Sequence, residues 1–128
     1  MKPYIKTIPN TWMPKDYERG WGNGYVVIPK DHSFYGLDYD FVSSFVNVHC
    51  GLTYGKHEDN GHDGWCFGFD TMHLGDTAEE WTYQAVKEHT LDLLDQFVEL
   101  GDKYTREDIL KMIQDEEDLN AFESQSFE

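Results

Sequence analysis

The 128-residue sequence has little cysteine, little proline and no long apolar run. Its two cysteines, Cys50 and Cys66, are too few for a disulfide framework and match no paired CxxC zinc motif; both fit buried, small apolar positions. No segment approaches the ~20 apolar residues of a membrane-spanning helix, and the N-terminus lacks the apolar run of a signal peptide. These absences favour a cytoplasmic protein with both thiols reduced.

Positive charge is also scarce, because 10 Lys and Arg stand against 25 Asp and Glu and give a formal net charge of −15. Residues 1–56 carry six basic and five acidic side chains, whereas residues 57–128 carry four and twenty. A field of this sign repels nucleic-acid backbones and anionic lipid, so direct binding to DNA, RNA or membranes is not expected. The acidic half is either a solvated surface or a face that meets a basic protein.

Aromatic residues are abundant, with 4 Trp, 8 Tyr and 8 Phe, and they supply much of the buried area that a chain of this length needs. Three prolines in residues 1–20 predict an extended lead-in. Apolar patterning then predicts strands at 25–28, 45–54 and 64–71. The last two strands are expected to form an antiparallel hairpin around a polar loop at 55–63.

After Gly75 the apolar spacing becomes that of a helix. A capping box at Thr77–Glu80 predicts a long amphipathic helix that ends at Gly101, and a second box at Thr105–Asp108 predicts a shorter helix through Gln114. Residues 115–128 are acidic and are predicted to fray. The expected fold class is α+β: one domain over residues 1–128, with a small antiparallel sheet packed against the long helix and a short C-terminal helix.

The clearest candidate site lies where the last predicted strand leads into the long helix, because Asp70, His73 and Asp76 fall three residues apart there. The first turn of a helix exposes unpaired N–H groups, which makes such junctions common ligand sites. Histidine with carboxylates either binds a divalent metal or carries acid–base chemistry. The structural alternative is that the two aspartates cap a turn and a helix end. His49 lies on the polar side of the predicted 45–54 strand and would approach Asp70 from there.

A third group, Tyr25, His32 and Tyr35, has aromatic rings that suit stacking on a flat ligand such as a nucleobase. The alternative is that these rings plug the open end of a small sheet. His57 and His62 stand in the polar loop with a spacing that matches neither a zinc finger nor an EF-hand, which favours a solvated loop. No nucleophile motif, phosphate-cradling loop or dinucleotide fingerprint identifies a catalytic residue.

Five motifs follow one another along residues 20–77: Trp21-x-x-Gly24-Tyr25-Val26, Ile28-Pro29, His32-x-x-Tyr35-Gly36, Val48-His49-x-Gly51-Leu52-Thr53-Tyr54 and Gly68-Phe69-Asp70-x-x-His73-x-Gly75-Asp76. Together they resemble a family of small uncharacterised proteins of bacteriophages, prophages and bacterial genomes. The resemblance implies an accessory protein of the kind that blunts host defences, acting in the host cytoplasm, and it brings no activity with it. This chain departs from the pattern at three positions: Cys50 stands where glycine is usual, Ser33 where proline is common and Thr71 where cysteine is common. The last departure weakens any role built on a thiol at that position.

The expected function is that of a phage-type accessory protein that binds a small polar, nucleotide-like ligand. Its flat part would meet Tyr25, His32 and Tyr35, and its polar part would meet His49, Asp70, His73 and Asp76. Such a protein would sequester the ligand or, with a bound divalent metal, hydrolyse it. The alternative is an acidic inhibitor that imitates nucleic acid and covers a basic surface of a host protein such as a defence nuclease. Whether the chain is an enzyme stays open.

Overall fold

The computed structural model describes residues 2–11, 14, 18–59, 61 and 63–125, and it has the α+β architecture that the sequence predicts. The elements, in chain order, are β1 (Tyr4–Pro9), β2 (Gly22–Pro29), α1 (Tyr39–Ser43), β3 (Tyr54–Asp59), β4 (Asp63–Phe69), α2 (Tyr83–Lys103) and α3 (Arg106–Gln125). Within the described ranges, no helix combines the length and the hydrophobicity that a membrane crossing requires.

The four strands form one antiparallel sheet in the order β1-β2-β4-β3. Side chains alternate between its two faces, since Val26 lies opposite Phe67 while Tyr25 lies opposite Gly68. Val26, Ile28, Phe67 and Phe69 are buried on the inner face. The alternation predicted for residues 64–71 is therefore confirmed, and it fixes which face of the sheet receives the long helix.

Helix α2 packs on the inner face through the apolar arc predicted from its sequence. Its buried side chains are Val86, Thr90, Leu93, Phe97 and Leu100. The rings of Phe67 and Phe97 stack with centroids 5.1 Å apart and planes 10° from parallel. Burying each large apolar side chain contributes roughly 1.5–3 kcal/mol, so this layer holds sheet and helix together.

The predicted bounds of α2 are wrong at both ends. The helix is capped by Thr82, whose hydroxyl accepts the Ala85 N–H at 3.2 Å, whereas Thr77 caps only an earlier turn. Gly101 lies inside the helix and does not end it. A Cβ at Gly101 would come within 2.8 Å of His32 Nε2, so its missing side chain makes room for that ring.

The second capping box forms as predicted, because the N–H of Thr105 donates to Asp108 Oδ2 at 2.9 Å and the N–H of Asp108 donates to Thr105 Oγ1 at 3.1 Å. Helix α3 then continues to Gln125, beyond the predicted end at Gln114. Residues 115–125, predicted to fray, contain neither glycine nor proline, and they extend the helix.

The strand predicted over residues 45–54 is wrong. Cys50 and Gly51 have φ angles of 57° and 79°, and the Gly51 N–H closes a turn onto the Val48 carbonyl at 2.9 Å. The partly buried side chains of this irregular segment still pack on the core, which explains their strand-like alternation. The predicted hairpin exists, but its first strand is β3, within the segment predicted as a polar loop.

The lead-in predicted over residues 1–20 contains strand β1, which pairs with β2 at one edge of the sheet. The backbone there is extended, as the prolines predict, and in addition it is hydrogen-bonded into the sheet. Met1, residues 12–13 and residues 15–17 lie outside the described part of the chain, as do Asn60, His62 and residues 126–128.

Candidate functional site

The turn at residues 48–51 brings the Cys50 thiol to the surface. A non-glycine residue in this left-handed conformation costs roughly 1–2 kcal/mol, and such strain concentrates at functional sites. Ser43 Oγ accepts the Leu52 N–H at 3.0 Å and so ties down the chain that follows the turn. The sulfur lies 3.7 Å from Nε2 and 3.9 Å from Nδ1 of His49.

The prediction that both cysteines are buried is therefore wrong for Cys50, which is exposed, and confirmed for Cys66. Cys66 lies within β4 on the outer face of the sheet, covered by neighbouring side chains. Burial raises the pKa of the Cys66 thiol to about 12. Cys66 is accordingly an inert thiol, and Cys50 is the cysteine available for chemistry.

The segment from Asp70 to Asp76 forms a second compact turn after β4. Asp76 Oδ2 accepts the His73 N–H at 2.9 Å, and the Asp76 N–H donates to the His73 carbonyl at 2.9 Å. The hydroxyl of buried Thr71 donates to the Gly22 carbonyl at 2.7 Å and anchors the segment to β2. The His73 ring is held close to both carboxylates: its Nδ1 lies 3.0 Å from Asp70 Oδ1 and 3.7 Å from Asp76 Oδ2.

The two turns meet at Asp76. Its Oδ1 accepts from His49 Nε2 at 2.8 Å, so one carboxylate joins both histidines, and its side chain is only 6 % exposed. The imidazoles of His49 and His73 lie edge to face with centroids 5.8 Å apart. One nitrogen from each ring and the Cys50 sulfur all lie within 4.8 Å of one another. Four predicted site residues, His49, Asp70, His73 and Asp76, are thus brought together, and Cys50 joins them.

Each histidine directs one ring nitrogen at a carboxylate. Nε2 of His49 pairs with Asp76, which leaves Nδ1, and Nδ1 of His73 faces Asp70, which leaves Nε2. His73 Nδ1 is buried and is not aligned for a hydrogen bond with any acceptor, despite its short distance to Asp70. Histidine ligands of metals are commonly oriented by a carboxylate on the nitrogen that does not bind the metal. Asp76 is placed to orient the His49 imidazole in this way, whereas Asp70 lies beside the His73 ring without an aligned hydrogen bond.

Trp81 forms the inner wall of this cluster. Its indole ring packs on the His49 ring with centroids 4.3 Å apart and planes 37° from parallel. Trp81 also contacts His89, with ring centroids 4.7 Å apart. The helix pattern predicts that His89 is packed, but the side chain is exposed. Trp81 is itself buried, so a core side chain lies directly against the His49 ring.

The three aromatic residues predicted to hold a flat ligand lie apart from this cluster. Tyr25 is on the outer face of the sheet, with its ring 5.3 Å from that of Tyr54. Tyr35 donates its hydroxyl to Asp63, and this contact raises the pKa of the Tyr35 phenol. Their described contacts tie Tyr25 and Tyr35 to neighbouring side chains and do not bring them to His49.

His32 bridges the loop after β2 and the C-terminal half of α2. Its Nε2 donates to the Phe97 carbonyl at 2.8 Å, and its Nδ1 accepts the Phe34 N–H at 3.0 Å. Both ring nitrogens are used by the backbone, and burial lowers the pKa of the His32 imidazole. This arrangement describes a structural histidine.

His57 belongs to β3 and not to a loop. Its Nε2 lies 2.7 Å from Asp63 Oδ1, and both side chains are exposed. A hydrogen bond from Tyr35, which is the larger effect, and one from His57 lower the pKa of Asp63. His62, the second histidine of the predicted loop, lies outside the described residues.

The sequence pattern does not identify Cys50 as a site residue, because its alternation predicts a buried strand position there. The predicted resemblance leads one to expect glycine at position 50, and φ of 57° is a conformation that glycine adopts freely. A cysteine at such a position, directly after His49, marks the turn as a place where a side chain matters.

No protein-family model matches this chain, and the curated proteins and the solved structures contain no match to it either. The resemblance to phage and bacterial proteins therefore stays a prediction.

Proposed function

We propose that this chain binds a divalent transition metal, preferably Zn²⁺, through His49, Cys50 and His73. The bound metal would then contact a small polar ligand. The observation that supports this proposal is the convergence of two imidazole nitrogens and one sulfur within 4.8 Å. Ligand atoms around a tetrahedral zinc ion lie roughly 3.3–3.8 Å apart, given bonds of 2.0–2.3 Å. Small side-chain rotations would bring the three donors to that spacing.

The donor types favour zinc over the hard cations. Thiolate and imidazole suit Zn²⁺, whereas Mg²⁺ and Ca²⁺ prefer oxygen ligands. Among the described residues this is the one group of three histidine, cysteine or acidic side chains that meets the spacing of a metal site. Three protein ligands leave a fourth position for water or a ligand, as in catalytic zinc centres. Because Cys50 is exposed, that position would face the solvent.

The chain's own residues would share the work as follows. Asp76 would hold the His49 ring and the backbone of His73, and Asp70 faces the His73 ring. Trp81 shields one side of His49 from water. A bound zinc ion supplies a Lewis acid and lowers the pKa of a coordinated water to about 7.

The ligand that suits this site is a small anion with an exposed oxygen, such as a phosphate group, which the protein either sequesters or hydrolyses. A terminal phosphate of a nucleotide fits this description. The described contacts of Tyr25, His32 and Tyr35 give no support to a base-stacking role at the same site. We therefore keep the polar part of the expected ligand and leave the base unassigned.

The test is Zn²⁺ titration of the metal-stripped protein in competition with a chromophoric chelator. We expect about one equivalent to bind, and we expect His49→Ala, Cys50→Ser and His73→Ala each to weaken binding by about tenfold or more. The controls are Cys66→Ala, which removes the other thiol, and His57→Ala, which removes a histidine paired with Asp63; neither should change affinity. Equal affinity in all five variants, or loss only in His57→Ala, would refute the proposal.

Turnover is tested on the zinc-loaded protein with chromogenic phosphate mono- and diesters. Release of product that depends on zinc and disappears in His73→Ala indicates hydrolysis. If no product appears but inorganic phosphate raises the melting temperature of the zinc-loaded protein, sequestration is supported. If phosphate has no effect on either the loaded or the stripped protein, the phosphate-type ligand is excluded.

A further inference from the structure

A groove between α1 and α3 is separate from the histidine cluster and has an unusual lining. It consists of two adjoining cavities of about 510 and 240 Å³ that share Asp38, Phe41 and Glu116. Its floor is apolar: Phe41, Phe45, Met112 and Ile113 pack against the core but stay partly exposed. Covering an apolar floor of this kind with a partner removes apolar surface from water and is therefore favourable.

The rim of the groove has the opposite character. Four exposed carboxylates surround the floor: Asp38, Asp40, Glu116 and Glu117. The described residues that line the two cavities include no Lys, Arg or His, and none of these four carboxylates forms an ion pair with another described residue. The rim therefore carries uncompensated negative charge directly around an apolar surface.

We propose that this groove binds a basic amphipathic segment of a partner protein, with apolar side chains on the floor and Lys or Arg at the rim. An apolar floor selects side chains spaced along one face of a helix, and an acidic rim selects the cations beside them. Both the apolar floor and the acidic rim are needed to select this partner. A purely basic segment would leave the floor uncovered, and a purely apolar segment would leave the rim carboxylates without cations.

The base of the groove is held in place from both sides. Asp38 caps α1 by accepting the Asp40 N–H at 3.2 Å, and Arg106, at the start of α3, donates to the carbonyls of Ser33 at 3.1 Å and of Tyr35. The rings of Phe41 and Phe45 lie 5.3 Å apart. These contacts tie the starts of α1 and α3 to neighbouring backbone, and such order in the free chain reduces the entropy lost on binding.

The test uses fluorescence anisotropy with three labelled peptides, each roughly four helical turns long. The first carries Leu at helical spacing and Lys elsewhere, the second replaces Leu by Ser, and the third replaces Lys by Glu. We expect the Leu/Lys peptide alone to bind, with an affinity that falls as salt rises. Binding of the Ser/Lys peptide with equal affinity, or no binding of the Leu/Lys peptide, overturns the proposal.

Two charge-matched double variants locate the site. Glu116→Lys with Glu117→Lys reverses two charges at the rim, and we expect it to weaken binding of the Leu/Lys peptide by about tenfold or more. Glu88→Lys with Asp95→Lys reverses two exposed charges on α2 and should have a much smaller effect. Equal losses in the two double variants would show attraction to net charge alone and would overturn the proposal.

The floor is tested by Met112→Gln, which keeps a helix-forming residue but adds a polar group, and circular dichroism checks that α3 stays folded. Peptide binding that is unchanged by this substitution contradicts the proposal. Sedimentation of the free protein tests whether a second copy of this chain occupies the groove. A dimer that Glu116→Lys dissociates would assign the groove to that second copy. All measurements are repeated with and without Zn²⁺, so that the groove and the histidine cluster are tested separately.

Discussion

His49 and Asp76 form the contact on which the candidate site depends, with Nε2 of the imidazole 2.8 Å from Oδ1 of the carboxylate. The same side chain accepts the His73 N–H at 2.9 Å, so Asp76 connects two turns that lie far apart in sequence. A buried carboxylate that is joined to two metal-binding candidates determines their positions relative to each other.

Asp76→Asn is expected to lower zinc affinity by about 10–100-fold, because the amide cannot serve as the same charged acceptor for the His49 imidazole and the His73 N–H. It should also reduce the free energy of unfolding of the metal-free protein by roughly 1–3 kcal/mol. The measurements are chelator competition and urea denaturation.

Asp70→Asn is the matched control for that substitution. The Asp70 side chain is 22 % exposed against 6 % for Asp76, and it faces one histidine only, so its effect on stability should be smaller. If Asp76→Asn binds zinc as tightly as the unmodified chain, Asp76 has no positioning role.

Cys50→Gly separates backbone strain from metal binding. Glycine adopts φ of 57° freely, so relief of strain offsets the entropy that glycine adds to the unfolded chain. We expect Cys50→Gly without metal to be more stable than Cys50→Ser by up to about 1 kcal/mol in urea denaturation. Both variants should bind zinc weakly, since neither has a thiolate. A Cys50→Gly protein clearly less stable than Cys50→Ser would contradict the strain assigned to this residue.

The pH dependence of stability is expected to carry a contribution from His32. Burial lowers its pKa in the folded state below the usual 6.5, so the unfolded chain takes up the proton first as pH falls below about 6.5. Protonation at Nδ1 also removes the acceptor for the Phe34 N–H. Stability is therefore full above pH 6.5, declines as pH falls toward the folded-state pKa, and loses nothing more from this group below it.

His32→Gln tests this prediction, because its amide nitrogen stands in for Nε2 but does not titrate. The free energy of unfolding, measured by urea denaturation from pH 7.5 downward, should start roughly 1–3 kcal/mol lower and then fall less steeply than in the unmodified chain. Exposed His89→Gln is the control and should keep the original slope. An unchanged slope in His32→Gln would mean that His32 does not control acid stability.

Trp81 offers an optical test of the same site. Zinc that binds His49 should change the emission of the indole packed against that ring, and the change should be absent in Trp81→Phe and in His49→Ala. Trp65 donates its indole N–H to the Leu37 carbonyl at 3.1 Å in another part of the fold and should not respond. A zinc response that persists in Trp81→Phe would place the metal elsewhere.

The predictable part of the fold is the part where side-chain periodicity has one physical cause. Phe67 and Phe69 alternate because β4 has one buried face, and Leu93 and Phe97 recur because α2 buries one stripe. Residues 45–54 mislead, since an irregular segment that packs several side chains on the core also alternates. Polar β3 and the pairing of β1 depend on distant neighbours, which local pattern does not reveal.

For the candidate site, the sequence pattern predicts four of the five clustered residues but not the contacts between them. The spacing of Asp70, His73 and Asp76 predicts a candidate site at the junction of a strand and a helix. In the structure, the carboxylates at this junction lie next to the histidines. Cys50 could not be placed, because its left-handed φ is set by the turn and not by its own preference. The backbone contacts of the His32 ring could not be predicted either, because the partner atoms belong to the main chain and leave no sequence pattern.

Cobalt(II) titration of the metal-stripped protein tests the central proposal most directly. Tetrahedral coordination by His49, Cys50 and His73 predicts visible d–d bands and a near-ultraviolet thiolate band that saturate together at about one equivalent. Cys50→Ser should remove the thiolate band, and His73→Ala should weaken both. Spectra without these bands, or bands that survive unchanged in both variants, would contradict a metal centre at these three residues.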